Sequence, residues 1–296
     1  MTDTKVKNDL IASYQADAGF IVHDRKMAER LYALVGIDPQ RSLDWRIYDF
    51  EGVTHFFHHG VVSLVRKLAI TANDHLLSPG EGTGAPSRLI VKMTGCKVTG
   101  VDINPDQIAK ARELAALHNL QDKVEYFEQD VGELSLGKKD FTKAYCNETC
   151  GHWQYKERAF KRIHAHLKPG ARIGFNAWLK GDKGSLNEAY GHVPEFRPLY
   201  KPGIWFQDDL DTYRKLLEEA GFTVLETEEC TDKIDIKMRA RLKASLQWER
   251  YEQVFGRQAG ESALRYYRGM LQTHYDFLRY GVIIAEKSQS PAGKVE

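Results

Sequence analysis

One stretch constrains the fold of this chain more than any other: Leu76-Leu77-Ser78-Pro79-Gly80-Glu81-Gly82-Thr83-Gly84-Ala85-Pro86-Ser87-Arg88. A short apolar run passes into three glycines at alternate positions, and a helical pattern follows. Glycine lets the backbone turn tightly and leaves no side chain between it and a ligand. The N-terminus of the next helix aims its unpaired N–H groups and positive dipole end at the same place. From His75 onward short strands and helices alternate. Strands are expected at 75–78, 97–102, 123–130, 141–146 and 171–178, with helices at 85–93, 105–118 and 155–167. Asn104 stands at an N-cap position with Pro105 at the first helical position. Lys168-Pro169-Gly170 reads as a turn. Such alternation implies a parallel sheet covered on both faces, with ligands at the carboxyl ends of its strands.

The flanks are different. Helical spacing at 11–15, 27–34 and 61–70 makes residues 1–70 a helical N-terminal cap or lid. Residues 71–296 form the α/β domain, with substrate-covering insertions at about 180–205 and 233–275. A helix at 208–220, ended by Gly221, leads to a strand at 222–228, and a last strand runs over 281–287. The expected fold is α/β, a doubly wound and mostly parallel sheet with an antiparallel last strand and a helical N-terminal cap. The aromatic helical stretch from 233 to 280 can serve as core, pocket wall or the face of a homodimer.

Charge and cysteine usage exclude several classes. Lys and Arg total 42 against 41 Asp and Glu, so there is no basic excess of the kind nucleic-acid proteins carry. No apolar run is long enough to span a membrane, and the polar N-terminus lacks a signal core. A cytoplasmic protein is expected. Four cysteines in 296 residues are too few for a disulfide framework. Cys146, Cys150 and His152 do not complete a metal set, and no metal site is expected.

The glycine turn alone leaves its ligand open. Gly80, Gly82 and Ala85, with an acidic residue about 20 positions on, also satisfy a permissive dinucleotide pattern, so an NAD(P)-dependent oxidoreductase competes. Three features weigh against it: the Gly-x-Gly-x-Gly form, a second acidic strand end at Asp130, and a sheet that finishes antiparallel. With these features the chain resembles the Rossmann-like S-adenosylmethionine-dependent methyltransferases, motif by motif over about 75–178 and weakly to 287. The resemblance implies S-adenosylmethionine as cofactor. It implies that Asp102, followed by Ile103, receives the ribose hydroxyls, a task that suits an ionised carboxylate. Gln107 then lies near the adenosine, Asp130 and Val131 at the adenine amino group, and Gly80, Gly82 and Gly84 near the methionine part, with Asn147 also among the cofactor-binding residues. The family usually carries Asp two residues before the first glycine. Here Ser78 stands in that place, followed by Pro79, and Glu81 inside the loop is the candidate to replace the carboxylate.

The acceptor is read from Ala144-Tyr145-Cys146-Asn147-Glu148-Thr149-Cys150-Gly151-His152-Trp153. The segment resembles the Glu-Ala-Thr-Cys-His segment of sterol C-methyltransferases and the Asn-Glu-Ser-Thr segment of prenyl-diphosphate C-methyltransferases. Gly84-Ala-Pro-Ser-Arg88 is similar to the Gly-Gly-Pro-Ala-Arg continuation of the sterol type. An alkene that takes up a methyl group becomes a carbocation, which a carboxylate stabilises and deprotonates. Aromatic faces add cation–π stabilisation. The resemblance thus implies C-methylation of a small, largely apolar sterol- or prenyl-type alkene, with Glu148 as cation stabiliser and base. Tyr48, Phe56, Phe57, Trp153, Trp178 and Trp205 are candidate walls. No compact Lys/Arg cluster flanks these motifs to hold a diphosphate, which favours an apolar acceptor. Two other chemistries stay open. Glu148 with His152 can orient and deprotonate an amine, and His58 or His59 can deprotonate a hydroxyl. A catalytically idle binding subunit on the same fold also stays open, because of Ser78 and Pro79.

Overall fold

Seven strands pair into one sheet in the computed structural model, which describes residues 3–16, 25–40, 57–137, 140–194, 202–236, 252–253 and 256–288. They are β1 (His75–Pro79), β2 (Lys97–Asp102), β3 (Val124–Glu128), β4 (Phe141–Asn147), β5 (Leu167–Leu179), β6 (Phe222–Glu229) and β7 (Arg279–Lys287). Their order is β3-β2-β1-β4-β5-β7-β6. β1 to β5 run parallel, and β7 inserts antiparallel between β5 and β6. Central strands bury both faces, which is why they read as unbroken apolar runs. Leu76 packs on one side with Val98 and Tyr145, and Leu77 on the other with Val101 and Ala144.

The chain leaves β1 towards β2 and β3, then returns to β4 on the other side of β1. This reversal opens a crevice at the carboxyl ends of β1 and β4. Among the described residues, three helices precede β1: α1 (Asp3–Ala16), α2 (Arg25–Val35) and α3 (Phe57–Lys67). The other described α-helices are α4 (Ala85–Thr94), α5 (Pro105–Leu117), α6 (Lys156–His166), α7 (Leu186–His192), α8 (Leu210–Glu219) and α9 (Arg257–Thr273). Asn104 caps α5, its side-chain oxygen accepting from Asp106 N at 3.0 Å and Gln107 N at 3.4 Å. None of the described helices is long and apolar enough to cross a membrane.

Four sequence expectations need correction or narrowing. Lys168-Pro169-Gly170 is not a turn that separates helix from strand, because β5 already begins at Leu167. Phe141 pairs with Leu167 and Lys143 with Arg172, so the extra residues bulge out of β5, with Gly170 at φ 74°. Bulging reconciles a proline, which cannot donate to the ladder, with continued pairing. The third strand is also shorter than expected, ending at Glu128. Within 180–203, Ser185 and Glu188 form a reciprocal capping box that starts α7. Ile204 and Trp205 then return to the core, while 195–201 lie outside the described residues. Of the long aromatic helical stretch, α9 is described, and 237–251 and 254–255 lie outside the described residues.

Candidate active site

The glycine turn sits at the end of β1 and is stitched to β2. Gly80 N and Glu81 N both donate to Val101 O, at 2.8 and 3.0 Å. Gly80 has φ +77°, and a Cβ there would lie 2.5 Å from Thr149 Oγ1. Gly84 has φ +78°, and its Cβ would lie 2.5 Å from the Tyr126 hydroxyl. These two glycines therefore serve close packing as much as conformation. Gly82, at φ +60°, has nothing within 4 Å of its would-be Cβ, so the loop's outer edge faces open space.

Asp102 closes β2 beside this loop. Its Oδ2 accepts from Gly82 N at 2.8 Å and its Oδ1 from Asn104 N at 2.9 Å. Burial raises the Asp102 pKa above the ordinary carboxylate value, against the pull of the Asn104, Gly82 and Ile103 N–H groups. A carboxylate offers about four acceptor positions, so capacity for a ligand's hydroxyl pair remains. The adjacent Asn104 keeps its side-chain Nδ2 buried without a hydrogen-bond partner among the described residues. Farther along, Asp130 accepts from Gly132 N at 2.8 Å through Oδ1 and pairs with Lys7 Nζ at 2.5 Å through Oδ2. Lys7 belongs to α1, whose Val6, Leu10 and Ile11 also line the cleft. The donor set fits a nucleoside: a carboxylate for vicinal hydroxyls, a second for an exocyclic amine, and aliphatic side chains for a ring face.

The opposite wall comes from the end of β4. Glu148 is buried and adopts φ +58°, a left-handed conformation that costs a non-glycine residue about 1–3 kcal/mol and tends to mark functional sites. Its N–H donates to Asn176 O at 3.0 Å, and Asn176 Nδ2 donates to Asn147 Oδ1 at 2.7 Å. The carboxylate is aimed by Trp178, whose Nε1–H donates to Glu148 Oε2 at 2.9 Å. Behind it, Trp178 stacks on Trp205 with centroids 4.8 Å apart at 19°, and His152 packs 4.3 Å from Trp205. Burial, with a smaller effect from the Lys156 charge, drives the His152 pKa down to about 4, so the ring is neutral near pH 7. Its Nδ1 is 3.0 Å from Ile204 O, the geometry of an Nδ1–H donor. Cys146 and Cys150 lie beneath, Sγ to Sγ 3.5 Å, and burial raises the Cys150 thiol well above its ordinary value. Among the described residues no group of three or more His, Cys, Asp and Glu is placed to hold a metal.

One cleft therefore gathers Gly80, Glu81, Gly82, Asp102, Ile103, Gln107, Asp130, Val131, Asn147, Glu148, His152, Trp153 and Trp178. Ser78, in β1, and Gly84, in the loop, are not part of the cleft lining. Trp205 is not a wall of this cleft. It is buried behind Trp178, because the returning chain packs it on that ring. His58 and His59 lie in the first turn of α3 and do not line the cleft either. Tyr48 and Phe56 lie outside the described residues, and Phe57 is placed only as the first residue of α3. Glu81 does not turn its carboxylate outwards. Its Oε1 accepts from Ser87 N at 3.3 Å beneath the loop. The sequence reading missed Lys7, Asn104, Gln129, Thr149 and Arg158 as lining residues. Asn104 carried a signal, since a cap beside a ligand carboxylate is bound to face the same space.

Comparison with known proteins agrees with this geometry. Residues 76–170 match the family described as a methyltransferase domain. The chain is 32% identical over 172 residues to a sterol 24-C-methyltransferase of Saccharomyces cerevisiae, covering 58% of this chain and 45% of that one. It is 30% identical over 179 residues to a sterol 24-C-methyltransferase of Aspergillus fumigatus, covering 58% and 46%. The chain thus spans about half the length of the relatives it matches. Among solved structures, phosphoethanolamine N-methyltransferase 2 of Haemonchus contortus, in complex with S-adenosyl-L-methionine, superposes with a TM-score of 0.68 at 18% identity, over 88% of this chain and 57% of that one. Geranyl diphosphate C-methyltransferase of Streptomyces coelicolor superposes with a TM-score of 0.57 at 15% identity, over 91% and 86%. Beside the sheet order, the glycine turn and the acidic strand ends, these matches show that residues 76–170 match a methyltransferase domain, that the fold is shared with solved methyltransferases, and that the chain is similar in sequence to the sterol 24-C-methyltransferases.

Proposed function

We propose that the chain transfers a methyl group from S-adenosylmethionine to an alkene carbon of a small, largely apolar acceptor of sterol or prenyl type. The observation that carries this reading is the pairing of two carboxylates across one cleft: Asp102 beside the glycine loop and Glu148 against an indole wall. Gly80 and Gly82, Asp102 and Asp130 would hold the cofactor. When bound, the cofactor supplies an electrophilic methyl on a sulfonium. The relatives named sterol 24-C-methyltransferase support carbon as the acceptor atom.

The protein's own contribution is positional and electrostatic. Trp178 holds the Glu148 carboxylate at the cleft wall, where the acceptor would lie. As the alkene becomes cationic, the carboxylate stabilises it in a site sheltered from water, where charge interactions are strong. Trp153 and Trp178 present ring surface to the same cation. Glu148 then takes the proton whose loss restores an alkene. A carbocation is so acidic that a weak base suffices, which suits a carboxylate. The neutral His152 adds no competing positive charge. The residues of α1 and Trp153 give the cleft an apolar side suited to a hydrocarbon.

Calorimetric titration tests the cofactor assignment. S-adenosylmethionine and S-adenosylhomocysteine are expected to bind saturably at one site per chain, and NAD is expected to give no heat. Saturable NAD binding with silent S-adenosylmethionine would overturn the proposal.

A further inference from the structure

The glycine loop covers a carboxylate that the proposed reaction does not use. Glu81 is 4% exposed, although the loop around it borders an open cleft. Its side chain runs beneath the loop into a space walled by three elements. Ser78 of β1 lies on one side, Ser87 and Arg88 of α4 on another, and Gly100 of β2 below. Gly100 is what makes the room: a Cβ there would lie 2.8 Å from Glu81 Cγ and 3.1 Å from Oε2. One oxygen, Oε1, accepts from Ser87 N at 3.3 Å. The other, Oε2, is buried with no hydrogen-bond partner among the described residues. The Arg88 guanidinium is buried as well and is turned to Thr83 O, which its Nη1 reaches at 2.6 Å. A buried carboxylate with a half-used acceptor set is costly to ionise unless a positive charge comes near. Ser78 and Ser87 offer dipoles and Arg88 a cation, yet burial outweighs them, and the Glu81 pKa is raised to about 7.

We propose that Glu81 is the counter-charge for the cationic methionine end of S-adenosylmethionine, and that cofactor binding expels the Glu81 proton to solvent. The inference rests on the reading that this cleft holds S-adenosylmethionine. The methionine end carries a sulfonium and an ammonium against a single carboxylate, so it brings net positive charge to the loop. No covalent bond changes in this step. A proton leaves Glu81 for solvent or buffer, and the carboxylate left behind is stabilised by the bound cation. Glu81 is therefore a positioning residue that acts through the loop. Ser78, where the family usually carries Asp, lies close enough to the same carboxylate to favour its charged form. Other charged and titratable groups surround the cleft. Tyr126 packs against Gly100 from β3, Asp102 lies at the end of β2, Asp130 is paired with Lys7, Arg158 is paired with Glu133, and Glu148 stands opposite. Substitution at Glu81 separates its proton from theirs.

The test is calorimetry of S-adenosylmethionine binding at pH 7 in buffers of different ionisation enthalpy, repeated from pH 6 to pH 8. Wild type is expected to release about half a proton at pH 7, and to bind roughly fivefold more weakly at pH 6 than at pH 7, the ligand's α-amino group adding its own proton uptake towards pH 8. Glu81→Gln, which keeps the shape of the protonated acid, is expected to lose that release and the rise between pH 6 and pH 7, and to keep only the ligand's own titration. S-adenosylhomocysteine, which lacks the sulfonium charge, is expected to release fewer protons than S-adenosylmethionine. Binding by wild type without proton release overturns the inference and leaves the cofactor site standing. So does release from Glu81→Gln equal to that of wild type. A wild-type chain that binds no S-adenosylmethionine at any pH overturns the site reading itself, and this inference with it.

Discussion

Asp102→Ala is expected to weaken S-adenosylmethionine binding at least a hundredfold, about 3 kcal/mol, as read by equilibrium titration. Two losses combine. A carboxylate that accepts from a ligand's hydroxyl pair gives up hydrogen bonds to a charged group, each worth roughly 1.5–3 kcal/mol. The same substitution removes the partner of Gly82 N and Asn104 N, which the carboxylate holds at 2.8 and 2.9 Å. Those bonds fix the outer edge of the glycine loop and the start of α5, so the loop loses its shape along with its ligand. Asp102→Asn keeps an acceptor oxygen and the side-chain volume, and about a tenfold loss is expected for it. A ligand-free thermal melt of both variants separates lost contact from lost fold. An Asp102→Ala chain that melts like wild type and binds with wild-type affinity would remove Asp102 from the site.

Glu148→Gln is expected to lower kcat by a factor of roughly 10²–10³, with cofactor affinity changed by less than about twofold. Glutamine retains the volume of glutamate and an oxygen for the Trp178 N–H, so the indole wall and the strained backbone at φ +58° stay in place. What disappears is the negative charge facing the acceptor and the site that takes its proton. An interaction made only as charge develops lowers kcat and leaves ground-state binding intact. Steady-state kinetics with a sterol-type alkene, beside calorimetry with S-adenosylmethionine, reads the split. Equal losses in cofactor affinity and in kcat/KM would assign Glu148 to holding the cofactor rather than to the chemistry.

The gathering of these residues in one cleft was legible in the sequence because they lie on consecutive strand ends. A glycine turn after β1, Asp102 after β2, Asp130 after β3 and Glu148 after β4 follow one another at the spacing that a parallel sheet imposes. The antiparallel finish was legible for a similar reason, since β6 and β7 stand late in the chain with helical stretches before them. Features set by tertiary packing were not. Nothing local to Lys7 says that it meets Asp130, a partner more than a hundred residues away. Trp205 looked like a wall residue, and only the path of the returning chain puts it behind Trp178. Glu81 looked free to face the cofactor, and the missing side chain at Gly100 is what lets it turn under the loop. Lys168-Pro169-Gly170 carries every mark of a turn. Pairing of Leu167 with Phe141 keeps it inside a strand.

The proposed function makes one direct demand, that the methyl group end on carbon. Methyl-labelled S-adenosylmethionine, incubated with the protein and a sterol-type side-chain alkene, is expected to give a product heavier by one methylene, with the label bonded to carbon in its NMR spectrum. Label found on nitrogen or oxygen of an amine or phenol acceptor, with the alkene recovered unchanged from a chain that binds the cofactor, would contradict it.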